Sequence, residues 1–261
     1  MDAAGIKHAL VLSLAYQFGN PNRPPVSREY ESVRAENDWT AEQVKAYPDR
    51  LRAACGVDPL RSYALTEIER CSRNSYLKHA LKLHFGNSDV DLDNPEHVAR
   101  LRNVFHLADA RGMAIIVHMH ANVSHHRAYG HHEAEIFLKI IPSAPHSLIQ
   151  IAHLAGSGGY DDPETDAALQ VFIDAVAHHD PRMAHVYFDI SGVAGLGDWE
   201  AQKEKIADRI RAVGVQRILF GSDGAWTGFT PEKAISAYRQ LPLTPDEFRI
   251  INFNTTSYLA F

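Results

Sequence analysis

The stretch Ala114-Ile115-Ile116-Val117-His118-Met119-His120 opens on an alanine and three β-branched residues, then turns polar at every second position. A run so short and so continuously apolar suits a strand buried on both faces. Alternation along that strand would set His118 and His120 on one side, at its carboxyl end. Just upstream, Asn94-Pro95 offers a helix N-cap and a proline for the first turn, and Val98, Leu101, Phe105 and Ala108 then share one face up to a stop at Gly112. A helix therefore feeds directly into a strand.

The same unit recurs in both directions. Strand-like runs fall at 8–14, 51–57, 80–85, 114–119, 148–153, 186–191 and 217–221. Between them lie helices with explicit signals. Asp162-Pro163 precedes the stripe Leu169, Phe172, Ile173, Val176. Asp198 precedes Ile206, Ile210 and Val213, with Gly214 as the stop. Thr230-Pro231 and Thr244-Pro245 start two more. Strand and helix in alternation imply a parallel sheet covered by helices. Right-handed crossovers then leave an open doubly wound sheet or a closed barrel.

The expected fold is α/β, a TIM-type (β/α)8 barrel, which typically takes about 250 residues. Seven strands are legible, and the first begins after only seven residues, so this reading expects the first barrel strand to be missing, with a strand preceding Met1. No composition shift divides the chain, and residues 1–261 read as one domain. Residues 17–50 read as a long βα loop with one or two short helices, placed as a lid, and Thr40-x-x-Gln43 inside it matches a capping box.

Composition narrows the partners. The 261 residues are 45% hydrophobic and 22% charged, with 32 Asp+Glu against 26 Lys+Arg and a net charge of −6. Such a balance argues against a nucleic-acid surface, and no apolar run approaches the ~20 residues of a membrane span. A small-molecule substrate is expected instead, and unpaired strands flanking a gap invite a homo-oligomer. The two cysteines, Cys55 and Cys71, form no CxxC. They read as unlinked, Cys55 as a small buried hydrophobe, in keeping with a reducing cytoplasmic location. The residue type in excess is histidine, at 16.

Polar side chains sit where strands end, the place of barrel active sites. His118 and His120 end one strand and His153 the next, before the turn Gly156-Ser157-Gly158-Gly159. Asp189 and Asp223 close two later strands. Lys82 and His84 share a face of an earlier one. Neutral imidazole with carboxylate is a normal ligand set for zinc or a similar divalent ion. His125-His126-Arg127 and His131-His132 read as a polar loop in which Arg127 could meet a substrate carboxylate.

Taken in order, Val117-His118, Ile151-Ala152-His153-Leu154-Ala155-Gly156 and Phe220-Gly221-Ser222-Asp223 resemble the amidohydrolase superfamily, in the branch that includes aminocarboxymuconate-semialdehyde decarboxylase. The opening Met1-to-Ile6 stretch resembles that family's helix before the second strand, and Lys82-Leu83-His84 and residues 254–261 also fit. The resemblance implies that His118 binds a metal, that His153 acts as acid and base, and that Asp223 is a ligand and proton acceptor. It also implies a His-x-His metal pair on the first strand, which this chain lacks before its second. His120 is the expected substitute ligand, and zinc the expected ion. Lys82, His84 and Arg127 are expected to bind substrate.

The expected reaction is hydrolysis of a small amide, lactone or related acid by metal-activated water. Non-oxidative decarboxylation at the same site is the first alternative. A binuclear centre with carboxylated Lys82 is the second. The third is a binding or vestigial barrel without catalysis.

Overall fold

The computed structural model describes residues 1–121, 128–224 and 228–259. Seven strands form one parallel sheet in chain order: β1 (Ala9–Leu12), β2 (Leu51–Gly56), β3 (Ala80–His84), β4 (Ala114–His118), β5 (Ile149–Ile151), β6 (Val186–Asp189) and β7 (Ile218–Leu219). The curled α/β arrangement is that of a TIM-type barrel. All seven strands lie where the apolar runs place them. β1 and β7 end the sheet, each pairing with a single strand among the described residues. The short 3-10 turn Asp2–Ala4 reaches round to pack against helix α7 (Pro231–Tyr238), so the two ends of the sheet lie close.

Alternation sorts the side chains. Outward-facing Leu81, Leu83, Ile115, Val117, Ile149, Ile151 and Phe188 are fully or almost fully buried under the helices. Those helices are α2 (Ala64–Ser72), α3 (Pro95–Ala110), α4 (His131–Leu138), α5 (Pro163–Ala177) and α6 (Lys203–Val213). Phe105, Phe137, Phe172 and Phe188 run through this layer as edge-to-face pairs with centroids 5.7–6.4 Å apart. Each such pair adds about 0.5–1.5 kcal/mol beyond the area it buries. Inside, Ala54, Ala80, Ala114 and Ile116 form a second, smaller core around Tyr258, which comes from the carboxyl-terminal turn Ser257–Leu259.

The helix starts follow the sequence. Asn94 and Asp162 accept from the N–H of Glu96 and Glu164. Thr244 completes a capping box with Glu247 at the head of α8 (Pro245–Phe253). Asp198 precedes a 3-10 turn, Trp199–Gln202, that runs into α6, without a side-chain capping bond.

Four sequence expectations are corrected. Residues 17–50 are not a loop with short helices: α1 (Glu29–Lys45) takes 17 of them, and its Val33, Ala41 and Val44 are buried. Its exposed face is so charged that the stripe is hard to see. Thr40 caps nothing. It lies inside α1, where its hydroxyl donates to the Glu36 carbonyl. His131 and His132 open α4 rather than sitting in a loop. Finally, Cys55 and Cys71 are joined, with Cα atoms 6.2 Å apart. Cys55 points outward from β2 and Cys71 inward from α2, a helix the sequence reading did not find. The cysteines therefore give no ground for a reducing compartment. No helix among the described residues is long and apolar enough to cross a membrane.

Candidate active site at the strand ends

β3 and β4 pair with His84 directly opposite His118. That register stacks the two imidazoles, with ring centroids 3.8 Å apart and planes within 15°. His153 meets His118 edge-on at 5.0 Å, and the Tyr16 ring tilts against His84 at 5.2 Å. His118 and His153 are buried. Burial, then the nearby Lys82 and His153, hold His84 well below the usual imidazole range, and burial, then His84 and His153, do the same for His118. Both rings are thus neutral at pH 7, the form that ligates a cation. His118 Nε2 is buried with no hydrogen-bond partner. The His84 Nδ1 accepts from the Asn87 N–H at 3.2 Å.

His153 sits in a strained turn. The strand stops at Ile151, and His153, Leu154 and Ala155 follow at φ of 56°, 49° and 68°. Left-handed backbone in non-glycine residues costs about 1–3 kcal/mol each and persists only where the surroundings impose it. Four contacts impose it here. Asp189 accepts from the His153 N–H at 3.0 Å, and the Ser191 carbonyl takes the His153 Nδ1–H at 2.5 Å. The Tyr129 hydroxyl donates to the Ala155 carbonyl, and the Gly156 N–H to that of His153. A Cβ at Gly156 would stand 2.8 Å from Thr165 Cγ2, so the glycine-rich turn serves backbone packing. Because a carbonyl only accepts, Nδ1 carries a proton, and Nε2 is the nitrogen that bears the lone pair whenever the ring is neutral.

Lys82, two residues before His84, is buried inside the barrel. Burial pushes its amine down to about 8, against the pull of Asp189 and Asp223. Asp223 follows β7 in a left-handed conformation and is exposed, its Oδ2 3.8 Å from where a Cβ on Gly192 would stand.

The structure brings Lys82, His84, His118 and His153 together, with Asp223 at the rim. It turns His120 aside: β4 ends at His118, so alternation no longer fixes His120. Its Nε2 meets Asp162 Oδ2 at 3.2 Å, and its ring packs on Tyr129. His118, His120 and Asp223 are not among the described groups whose ligand atoms all lie within 4.8 Å of one another; those are Cys55, Glu67 and Cys71, and Asp93, His132 and Glu133. Arg127 lies outside the described residues. The sequence reading named Asp189 without a role and passed over Ser191 and Gln150, which only the fold brings beside His153.

At the rim, Asp58 follows β2 and accepts from the Leu60 N–H at 2.9 Å, with Arg61 Nε 3.6 Å away. Gly19 packs so closely that a Cβ there would stand 2.7 Å from Asp58 Oδ2. Burial outweighs these partners and pushes Asp58 up to about 7 from its ordinary 3.8. The folded protein then keeps a proton the unfolded chain gives up, so stability falls as pH rises through that window. Asp58→Asn is expected to flatten the decline of urea midpoints between about pH 4 and 7. A slope equal to the wild type's would show that Asp58 ionises as in the open chain.

A family model described as amidohydrolase matches residues 18–251. The chain belongs to the amidohydrolase family. It is thereby an enzyme of that family, as the strand-end motifs implied. Solved structures share the fold of this amidohydrolase at low identity. One is 5-carboxyvanillate decarboxylase from Sphingomonas paucimobilis, with TM-score 0.64 and 17% identity, covering 97% of this chain and 78% of that one. Another is a dihydroxybenzoic acid decarboxylase from Polaromonas with bound manganese and the inhibitor 2-nitroresorcinol, at TM-score 0.61 and 18% identity, covering 100% and 86%. A third is an amidohydrolase from Burkholderia multivorans with bound zinc, at 0.66 and 14%, covering 99% and 84%. No curated protein matches the chain.

Proposed function

We propose that this amidohydrolase is a divalent-metal-dependent decarboxylase of a small carboxylic acid, with a hydroxylated aromatic acid as the substrate class. The observation that carries the reading is His153, an imidazole whose Nδ1–H is committed to the Ser191 carbonyl and whose Nε2 is left to carry a proton. Hydrolysis of an amide or lactone uses the same side chains. The weight moves to decarboxylation because two of the similar structures are decarboxylases of such acids.

The donor chemistry fits a metal. His118 offers a buried Nε2 without a partner on a neutral ring, and Asp223 offers a carboxylate. His118 and Asp223 are the proposed ligands. His120, held at Nε2 by Asp162, has a buried Nδ1 without a partner and is the candidate third ligand. Zinc and manganese both suit imidazole and carboxylate donors. Bound there, such an ion supplies positive charge against the substrate's carboxylate and phenolate oxygens.

The protein's own residues do the rest. Lys82 and His84 bind the anionic substrate from within the barrel, and Arg127 is a further candidate for its carboxylate. Nε2 of His153 takes up a proton and delivers it to the ring carbon bearing the carboxylate. The carbon–carbon bond then breaks, its electron pair stays on the ring, and CO2 leaves. Proton transfer of this kind contributes about 10²–10⁴-fold.

The test is a panel of hydroxybenzoates, lactones and amides offered to protein loaded with manganese or zinc. Release of CO2 with a decarboxylated product is expected. Acid or alcohol without CO2 would return the reading to hydrolysis. No turnover of any class would leave a binding barrel.

A further inference from the structure

A chain of hydrogen bonds runs inside the barrel from its floor to His153, and the proposed reaction uses only its last member. At the floor, small side chains on three neighbouring strands, Ala54, Ala80 and Ala114, leave room that bulky residues fill in most barrels. The Tyr258 ring occupies it. The Tyr258 hydroxyl donates to Gln150 Oε1, and Gln150 Nε2 donates to Asp189 Oδ2 at 2.5 Å. The other Asp189 oxygen, Oδ1, accepts from the His153 N–H and the Ser191 N–H, both at 3.0 Å, and from the Ser191 hydroxyl. The Ser191 carbonyl then takes the His153 Nδ1–H.

Each direction along this chain is fixed by its neighbour. A carboxylate accepts only, so Gln150 must turn its NH2 toward Asp189 and its oxygen toward Tyr258. Four donors fill the roughly four lone-pair positions that a carboxylate offers. Asp189 is buried, and the groups on it determine where Ser191 sits. Ser191 in turn determines which nitrogen of His153 bears the proton. Asp189 makes no bond to the His153 ring itself.

We propose that Asp189 is the positioning residue that fixes the tautomer and direction of the His153 ring, and that Tyr258 and Gln150 make the carboxyl-terminal turn part of this arrangement. The proposal rests on His153 as the proton-transfer group. Its test is built to separate the two.

The probe is protein carrying ¹⁵N-labelled histidine rings, read in long-range ¹H–¹⁵N spectra, with His153→Gln to assign the His153 signals. In the wild type Nδ1 is expected protonated and Nε2 bare. Asp189→Asn keeps the size of the side chain but loses acceptor positions, so the two nitrogens are expected to move toward averaged shifts. Tyr258→Phe is expected to move them the same way by less. Turnover in Asp189→Asn should fall about 10–100-fold in kcat with KM little changed, the usual range for a partner that orients a functional histidine. A loss of melting temperature with unmoved His153 signals overturns the proposal, because a merely structural residue would do that. Should Asp189→Asn not fold, Ser191→Ala takes its place, with shifted signals supporting and unchanged signals overturning. If the variants shift the signals while the wild type releases no CO2, the positioning role stands and the decarboxylase reading falls.

Discussion

His118→Ala is expected to abolish divalent-metal binding and turnover together. His118 is the imidazole whose free nitrogen has nowhere else to go: Nε2 is buried and unpartnered, and the ring is clamped between His84 and His153. Leaving such an atom unsatisfied costs about 1–3 kcal/mol, which an incoming cation recovers. Even groups that only orient a ligand cost about 10–100-fold in metal affinity when removed, so loss of the ligand itself should exceed about 100-fold. Cobalt(II) titration followed by its visible absorption reads this without any substrate. A variant that binds cobalt as tightly as the wild type would remove His118 from the ligand set.

Much of this fold was legible because its strands are buried on both faces. Runs such as Ile115-Ile116-Val117 need no partner strand to be recognised, and Asn94-Pro95 or Asp162-Pro163 announce helices by cap chemistry alone. What failed was amphipathicity under heavy charge: α1, with its Glu, Arg, Asp and Lys face, read as a loop. α2 was missed for its brevity, and with it the pairing of Cys55 and Cys71.

The site divides the same way. His118 and His153 were legible as polar residues at the ends of apolar strands. The placement of His120 was not, because alternation holds only while the strand lasts, and β4 ends two residues earlier. Nor was the turn around His153 legible. Its left-handed backbone is imposed by Asp189, Ser191 and Tyr129, which lie 24 to 38 residues away along the chain. Sequence spacing carries no sign of that meeting.

The prediction that most directly separates ligand from proton carrier concerns His153. His153→Ala is expected to keep its metal while losing about 10²–10⁴-fold in turnover, the usual contribution of a positioned acid or base. The ring is already committed at Nδ1 to the Ser191 carbonyl, which fixes its direction before any substrate arrives. Its Nε2 is then the one position left for exchange of a proton. Removing the ring also relieves the reason for the strained turn without removing its other supports, since the N–H of residue 153 still reaches Asp189 and Tyr129 still holds Ala155. The fold should therefore survive, and thermal melting of the variant should stay close to the wild type. Cobalt titration and kcat, measured on the same preparation, decide the matter. Metal and turnover lost in proportion would make His153 a ligand and favour a binuclear centre involving Lys82. Turnover kept intact would make it a structural histidine, and the proton for the departing carboxylate would have to come from elsewhere in the barrel, with Lys82 the nearest buried donor on β3.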